Sequence, residues 1–256
     1  MAGTVPLELV RVTQETPQDR TLRLEPPPAE RERLQRFVPG QFLVLHDTLD
    51  GAPIARAYSL SSAPGAPLEI TVRDMGAYGH HLYGLPLGSV LQASPPRGHF
   101  TLEDDVRGPL LLAAGGAGLT PFRSFVRALV ARGHAGPVSV LHSVRTPAEL
   151  LFRAELEALA QAHPWLAYLP RVTRPQPGDG WSGPTGRLDA AGLAECLPAD
   201  PHHVLLYACG PSAFVEAALA AAAGAGLRGA AGPGPCRVVG RRRPRGPAVA
   251  SRGASG

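Results

Sequence analysis

Three glycines within four positions, Gly115, Gly116 and Gly118, stand between an apolar run (Leu110–Ala114) and the pair Thr120–Pro121. The run predicts a buried strand that turns sharply. Thr120 is a natural N-cap and Pro121 a natural first helical residue, so the FRSFVRALV stretch predicts an amphipathic helix over 121–132. Glycine lets the chain turn and lets a ligand approach the backbone closely. The helix start then meets that ligand with unpaired N–H groups and the positive end of its dipole. Such a site suits a pyrophosphate. A dehydrogenase-type dinucleotide fingerprint would need a third spaced glycine and an acid roughly 20 residues on. Here Pro121 takes the place of that glycine, and no acid lies between Gly118 and Glu149.

Three further motifs stand in order around this loop. Upstream is Arg56-Ala57-Tyr58-Ser59-Leu60-Ser61-Ser62, followed by Pro96-Arg97-Gly98-His99-Phe100; downstream is Cys209-Gly210-Pro211. The series resembles the ferredoxin–NADP reductase superfamily of flavoenzymes: R-x-Y-S-x-x-S, P-x-G-x-F, G-G-x-G-x-T-P and a late C-G-P. The resemblance covers roughly residues 5–227. It implies a two-domain fold, an N-terminal antiparallel Greek-key β-barrel for flavin and a C-terminal α/β parallel-sheet domain for a nicotinamide nucleotide. It also implies a hydride passing from NADPH or NADH to FAD (in preference to FMN), then electrons to a separate acceptor such as ferredoxin, an oxygenase or a haem protein. The alternative is a non-catalytic or regulatory flavin-binding module of the same fold.

The residues themselves fit those roles. Arg56 offers a forked donor suited to a flavin phosphate. Tyr58, two positions along the same strand, shares its face and can stack on a flavin ring. By resemblance the Ser59 hydroxyl lies near flavin N5, Ser62 sits in the following turn, and Cys209 faces the nicotinamide C4, with Gly210 and Pro211 completing the turn. Hydride transfer needs no acid, base or nucleophile, so Ser59 and Cys209 are the expected catalytic positions in a positioning sense. Thr120 and Pro121 are expected beside the nicotinamide, and Gly116 and Gly118 beside its pyrophosphate. Relatives place G-x-x-S/T-x-x-L at a short helix that binds the flavin pyrophosphate. Here Gly79, His80, His81 and Leu82 occupy that region, with Gly79 or His80 where Ser or Thr is usual, and Arg73 is a second candidate phosphate contact. Adjacent histidines on a helix point apart, so no metal is expected there. Ser143 and Arg145, after the second strand of the α/β region, are candidates for the adenosine ribose or its 2′-phosphate, and the choice between NADH and NADPH stays open. Relatives also carry a C-terminal acid or aromatic near the flavin, and none occurs after Glu216.

The elements that must position these residues follow from hydropathy patterns. LELVRVT, TLRLEP, QFLVLH, ARAYSL, PLEITVR and SVLQAS read as strands separated by PG, DG and APGAP turns, which suggests an antiparallel barrel. One short helix is expected at Tyr78–Tyr83. After Gly108, strands LLLAA, PVSVLHSV, LAYLPRV and HHVLLYA alternate with helices near 121–132, 147–162, 188–196 and 211–223, the pattern of a parallel sheet with right-handed crossovers. The expected units are 1–105, 106–228 and a tail, 229–256.

The chain has 256 residues, with 44% hydrophobic content and a formal charge of +4. All 25 basic residues are Arg. Six of them lie in 229–256, which holds no acid; the remainder, 19 Arg against 21 acids, is close to neutral. No nucleic-acid or membrane partner is therefore expected. The Gly/Pro/Arg-rich tail shows no period and is expected to be disordered. No apolar run approaches the roughly 20 residues of a membrane span, and no secretory signal is evident, so the default expectation is a cytoplasmic protein. Cys196, Cys209 and Cys236 are widely spaced and form no C-x-x-C, so no zinc or iron–sulfur site is expected.

Overall fold

The computed structural model describes residues 3–102, 106, 108–197, 204–227 and 236–239. All six expected N-terminal strands form: β1 (Val5–Thr16), β2 (Asp19–Glu25), β3 (Phe42–Leu49), β4 (Ala52–Ser59), β5 (Leu68–Arg73) and β6 (Val90–Ala93). They make one antiparallel sheet in the order β4-β3-β6-β1-β2-β5. A bridge between Leu60 and Ile70 brings its two edges together, closing a Greek-key barrel. Alternating side chains fill the interior: Leu7, Leu9, Leu22, Leu24, Leu43, Leu45, Leu68, Ile70 and Val72 are all buried. Two helices flank the barrel, α1 (Pro28–Gln35) and α2 (Gly76–Tyr83).

The second sheet contains β7 (Leu110–Gly115), β8 (Val138–Val144), β9 (Leu166–Val172), β10 (Leu205–Cys209) and β11 (Cys236–Val239), in the order β11-β10-β7-β8-β9. Strands β7 to β10 are parallel; β11 is antiparallel to β10. Helices α3 (Thr120–Ala131) and α4 (Arg153–Ala162) cover the face of β7 that carries Leu110 and Leu112. Helices α5 (Ala190–Ala194) and α6 (Ser212–Gly224) cover the opposite face, with Leu111 and Ala113. No helix among the described residues is long and apolar enough to cross a membrane.

Two expectations change here. The helix expected over 147–162 is a 3-10 turn (Pro147–Glu149) followed by α4, whose N-cap Phe152 sits at φ 54°. The tail is not wholly without structure: Cys236–Val239 adds a strand to the free edge of β10, with Cys209 opposite Cys236. A β-branched pair, Val238–Val239, inside a Gly/Pro-rich stretch is enough for an edge strand once a partner edge is available. The rest of the tail and most of the expected boundary (103–105 and 107) lie outside the described residues.

An aromatic cluster joins the two sheets. Phe100, the last residue of the P-x-G-x-F motif, packs with its ring centroid 6.0 Å from Phe122, 6.0 Å from Phe125 and 5.5 Å from Tyr207. The Tyr207 hydroxyl donates to the Thr101 carbonyl at 3.2 Å. Gly40 allows this approach, because a Cβ there would stand 2.1 Å from the Phe100 carbonyl oxygen.

Candidate functional site

The strand order reverses between β7 and β10, the position where open α/β sheets leave a crevice at the carboxyl ends of their strands. Both glycine-bearing turns leave the sheet at that point. After Gly115 the chain makes a 3-10 turn, Gly116–Leu119, before α3 begins at Thr120. That turn displaces the expected cap. Thr120 lies inside the helix, and its hydroxyl donates to the Ala117 carbonyl at 2.7 Å rather than capping an N–H. No side chain caps the start of α3.

The glycines divide by task. A Cβ on Gly118 would stand 2.1 Å from the Cys209 carbonyl oxygen, one on Gly210 2.9 Å from Gly115 Cα, and one on Gly115 2.7 Å from the Phe214 ring. Gly118 and Gly210 let the two turns pack backbone against backbone, and Gly115 makes room for the Phe214 ring. Gly116 is different: its φ is +53° and a Cβ there would meet nothing within 4 Å. It is the glycine that faces open space. Pro211 opens the turn into α6.

Cys209 ends β10 almost fully buried, and its sulfur is joined to Cys236 in a disulfide. Three cysteines far apart in sequence thus include one pair in register. Cys196 is the free cysteine of the three. Ser143 is buried directly across from Gly115 in the β7–β8 ladder. Arg145 is exposed, and its Nε donates to Glu149 at 3.1 and 3.3 Å, so part of its charge is already matched.

One residue that touches this loop was not singled out in the sequence. His142 on β8 is fully buried. Its Nε2 lies 3.1 Å from the Gly116 carbonyl and its Nδ1 3.2 Å from the Tyr168 hydroxyl. A carbonyl only accepts, so Nε2 carries the proton and Nδ1 accepts from Tyr168. Burial pushes the His142 pKa down to about 4, against the smaller upward effect of the Gly116 bond. The signal was a lone histidine inside an apolar strand, VSVLHSV.

The barrel contributes a second cluster. Arg56 and Tyr58 face the same way on β4, opposite Leu45 and Leu43. Arg56 is exposed, donates to the Ala55 carbonyl at 2.9 Å and makes no ion pair among the described residues. Tyr58 is half-buried against the barrel core, and that burial raises its pKa. Ser59 is half-exposed at the end of the strand. Near them, Tyr78 on α2 stacks on His81 with centroids 5.9 Å apart, and His81 Nε2 lies 3.2 Å from Asp47. Burial, then Asp47, pushes the Tyr78 hydroxyl upward; that hydroxyl is buried without a well-formed hydrogen bond among the described residues. An exposed cation, an aromatic face, an orphaned hydroxyl and a helix start at Gly76 meet the needs of a flavin nucleotide.

Six expected contacts have other partners within the fold. Arg73 is not a free cation: its Nε and Nη2 each donate to Asp19 at 2.9 Å, and that carboxylate is 1% exposed. Ser62 is fully buried, and its Oγ accepts from the Glu69 N–H at 3.2 Å, fixing the turn after β4. Leu82 is a barrel-core residue with no exposed surface. Gly79 lets α2 sit on β5, because a Cβ there would be 2.5 Å from the Arg73 carbonyl oxygen; this is why no Ser or Thr stands at that position. His80 turns away to Asp74 at 2.8 Å while His81 turns to Asp47.

Residues 112–219 match the family of oxidoreductase NAD-binding domains. The chain is 37% identical over 158 residues to ferredoxin–NADP reductase B of Sorangium cellulosum, covering 60% of this chain and 64% of that one. It is 31% identical over 214 residues to the glycine betaine monooxygenase reductase subunit of Chromohalobacter salexigens, covering 81% and 57%. Its fold is similar to that of a Neisseria gonorrhoeae ferredoxin NADP+ reductase solved with FAD and NADP: TM-score 0.74, 23% identity, 89% of this chain and 93% of that one. The chain thus spans about three fifths of the length of these two curated relatives.

Proposed function

Because the chain belongs to the ferredoxin–NADP reductase superfamily, we propose that it is an NAD(P)H-dependent flavoprotein reductase that hands electrons to a separate redox acceptor. The observation that carries this reading is the meeting of two glycine turns at the reversal point of the parallel sheet, with an open Gly116 and an uncapped helix start beside them. A pyrophosphate laid there gains the α3 N–H groups and the positive end of the helix dipole.

Arg56 holds the flavin phosphate, Tyr58 covers the flavin ring, and the start of α2 supplies further N–H donors. Ser59 orients the reacting edge of the flavin. Thr120, Pro121 and Cys209 with Gly210 wall the nicotinamide pocket, and Ser143 and Arg145 border the adenosine end. When bound, FAD supplies the hydride acceptor and the means to release electrons singly. The chain supplies orientation and exclusion of water, and no proton transfer by a side chain is required. The acceptor is a ferredoxin, an oxygenase component or a haem protein, the first two in keeping with the names of the relatives above. Ser143 and Arg145 favour NADPH, while the Arg145–Glu149 pair leaves NADH a substrate.

The test is anaerobic. The purified protein should carry a flavin absorbance band, and adding NADPH or NADH should bleach it within seconds. A stable flavin that neither nucleotide bleaches makes the chain a flavin-binding module instead.

A further inference from the structure

A buried ionic cluster lies between the barrel and α3, outside every role given above. Arg123, in the first turn of α3, has a side chain 7% exposed. Its Nη1 donates to Glu69 Oε2 at 2.9 Å and lies 3.4 Å from Ser61 Oγ. Its Nε donates to Glu155 Oε2 at 2.8 Å. Glu69 belongs to β5, Ser61 to the turn that ends the Arg56–Ser62 segment, and Glu155 to α4. One helical turn further, Arg127 repeats the pattern, reaching Glu69 at 3.2 Å and Glu155 at 2.6 Å. Arg23 on β2 adds a third cation to Glu69 at 3.0 Å. The Phe152 ring closes one side, 4.3 Å from the Arg123 guanidinium. Burial alone would raise the Glu69 carboxyl, yet the three arginines hold it below the ordinary carboxylate range.

We propose that Arg123, clamped between Glu69 and Glu155, is a positioning residue that sets how the nicotinamide nucleotide turn faces the flavin strand. The clamp is short at both ends. Carried by the helix that begins at Thr120, it grips β5 and the turn that follows Ser59 on one side and α4 on the other. The guanidinium therefore ties the helix that leaves the nucleotide turn to the turn that leaves the flavin strand, and Arg127 repeats its two carboxylate contacts one helical turn on. The planar fork addresses two carboxylates in fixed directions, which a lysine ammonium cannot copy. Neutralising either carboxylate leaves buried positive charge without its match, and the helix must shift to find water. Hydride transfer is sensitive to such shifts: a displacement of about 1 Å can cost roughly a hundredfold in rate. Nucleotide binding responds less, because the phosphate contacts move with α3 as a unit.

The assignment of what fills the two sites rests on the function proposed above; the clamp between them does not. The experiment therefore reads both. Full-length protein with its flavin is compared with R123K, the near-isosteric E69Q and the surface control R33Q. Flavin bleaching is followed anaerobically against NAD(P)H concentration. Urea unfolding is followed by tryptophan fluorescence and by far-ultraviolet circular dichroism. Both tryptophans, Trp165 and Trp181, lie in the nucleotide half, whereas circular dichroism samples both halves. In R123K and E69Q the limiting bleaching rate should fall about tenfold or more, with the half-saturating nucleotide concentration little changed. The two unfolding curves should coincide in the wild type and R33Q and separate in R123K and E69Q. E69Q decides the matter if R123K is recovered unfolded. Limiting rates within twofold of wild type, together with coincident unfolding, overturn the clamp. If neither nucleotide bleaches the wild type, the proposed function falls, and coincident unfolding in both variants still overturns the clamp.

Discussion

Single residues carried the most legible part of the site, and they also carried its errors. The glycine loop was recognisable because few residue types tolerate such a turn. What spacing could not tell was which glycine serves the ligand: Gly118 is required by the Cys209 carbonyl 2.1 Å from its would-be Cβ, while Gly116 faces open space. Ser62 and Leu82 turn out to be committed within the fold for a related reason. A motif records that a residue type recurs, and a buried turn hydroxyl or a core leucine recurs as faithfully as a binding group. His142 gives a prediction at this scale. Its unfolded pKa near 6.5 drops to about 4 in the fold. Above pH 6.5 the ring is neutral in both states and contributes no pH dependence. As pH falls from 6.5 towards 4, the unfolded chain takes up a proton that the folded chain refuses, so stability is lost across that window. At 1.36 kcal/mol per unit, the full loss approaches about 3 kcal/mol, most of it by pH 5. In H142Q, whose amide can still donate to Gly116, this part of the pH dependence should be missing. Urea unfolding of both proteins at pH 7 and pH 5 measures it; equal losses in the two would refute the assignment.

At the scale of elements, period-2 alternation located all six barrel strands, because one face of each is buried and the other wet. Helix α1 was not foreseen. Its PPPAERERLQR sequence has no apolar stripe and buries only Leu34, so the pattern that marks a helix is missing. Proline at its first turn and the Arg33–Glu30 and Arg36–Glu32 pairs hold it instead. Arg73, at the end of β5 and just before α2, was a second candidate phosphate contact. The register overrules that reading: Asp19 stands opposite Arg73 in the β2–β5 ladder, and the pair forms a two-toothed bridge. This bridge fastens β5, and through the Gly79 contact it fastens α2 as well. Removing the carboxylate strands a half-buried guanidinium, so Asp19→Ala should cost about 3–5 kcal/mol. It should also loosen the flavin, because α2 loses its seat. Chemical denaturation and flavin content after dilution would measure the two effects; a variant within 1 kcal/mol of wild type would show that the bridge holds nothing in place.

The whole molecule is two layered bodies joined by apolar and ionic contacts of different visibility in the sequence. Phe100 announced the apolar joint through its motif. The Arg123–Glu69–Glu155 joint was invisible, because its members lie on α3, β5 and α4 and nothing in their spacing brings them together. The C-terminal edge was hidden in the same way. Composition alone argues that residues from 229 onward bury nothing, and that argument predicts that a chain ending at Arg228 loses nothing. The sheet argues otherwise. Four residue pairs join β10 to β11, from Leu206–Val239 to Cys209–Cys236. Cutting at Arg228 leaves one edge of β10 unpaired, and β10 carries the Cys209–Gly210 turn at the candidate active site. Several backbone hydrogen bonds at roughly 0.5–1.5 kcal/mol each put the loss near 2 kcal/mol, or about 4–8 °C in a protein of this size. An exposed strand edge also invites pairing between copies. The truncated chain should therefore melt several degrees lower, with or without reductant, and should self-associate on concentration. Melting curves and light scattering of the two lengths, each with and without dithiothreitol, make the comparison. An unchanged melting temperature and a monodisperse truncated protein would return the tail to the unstructured role that its composition suggests, and would place the edge of the sheet at β10.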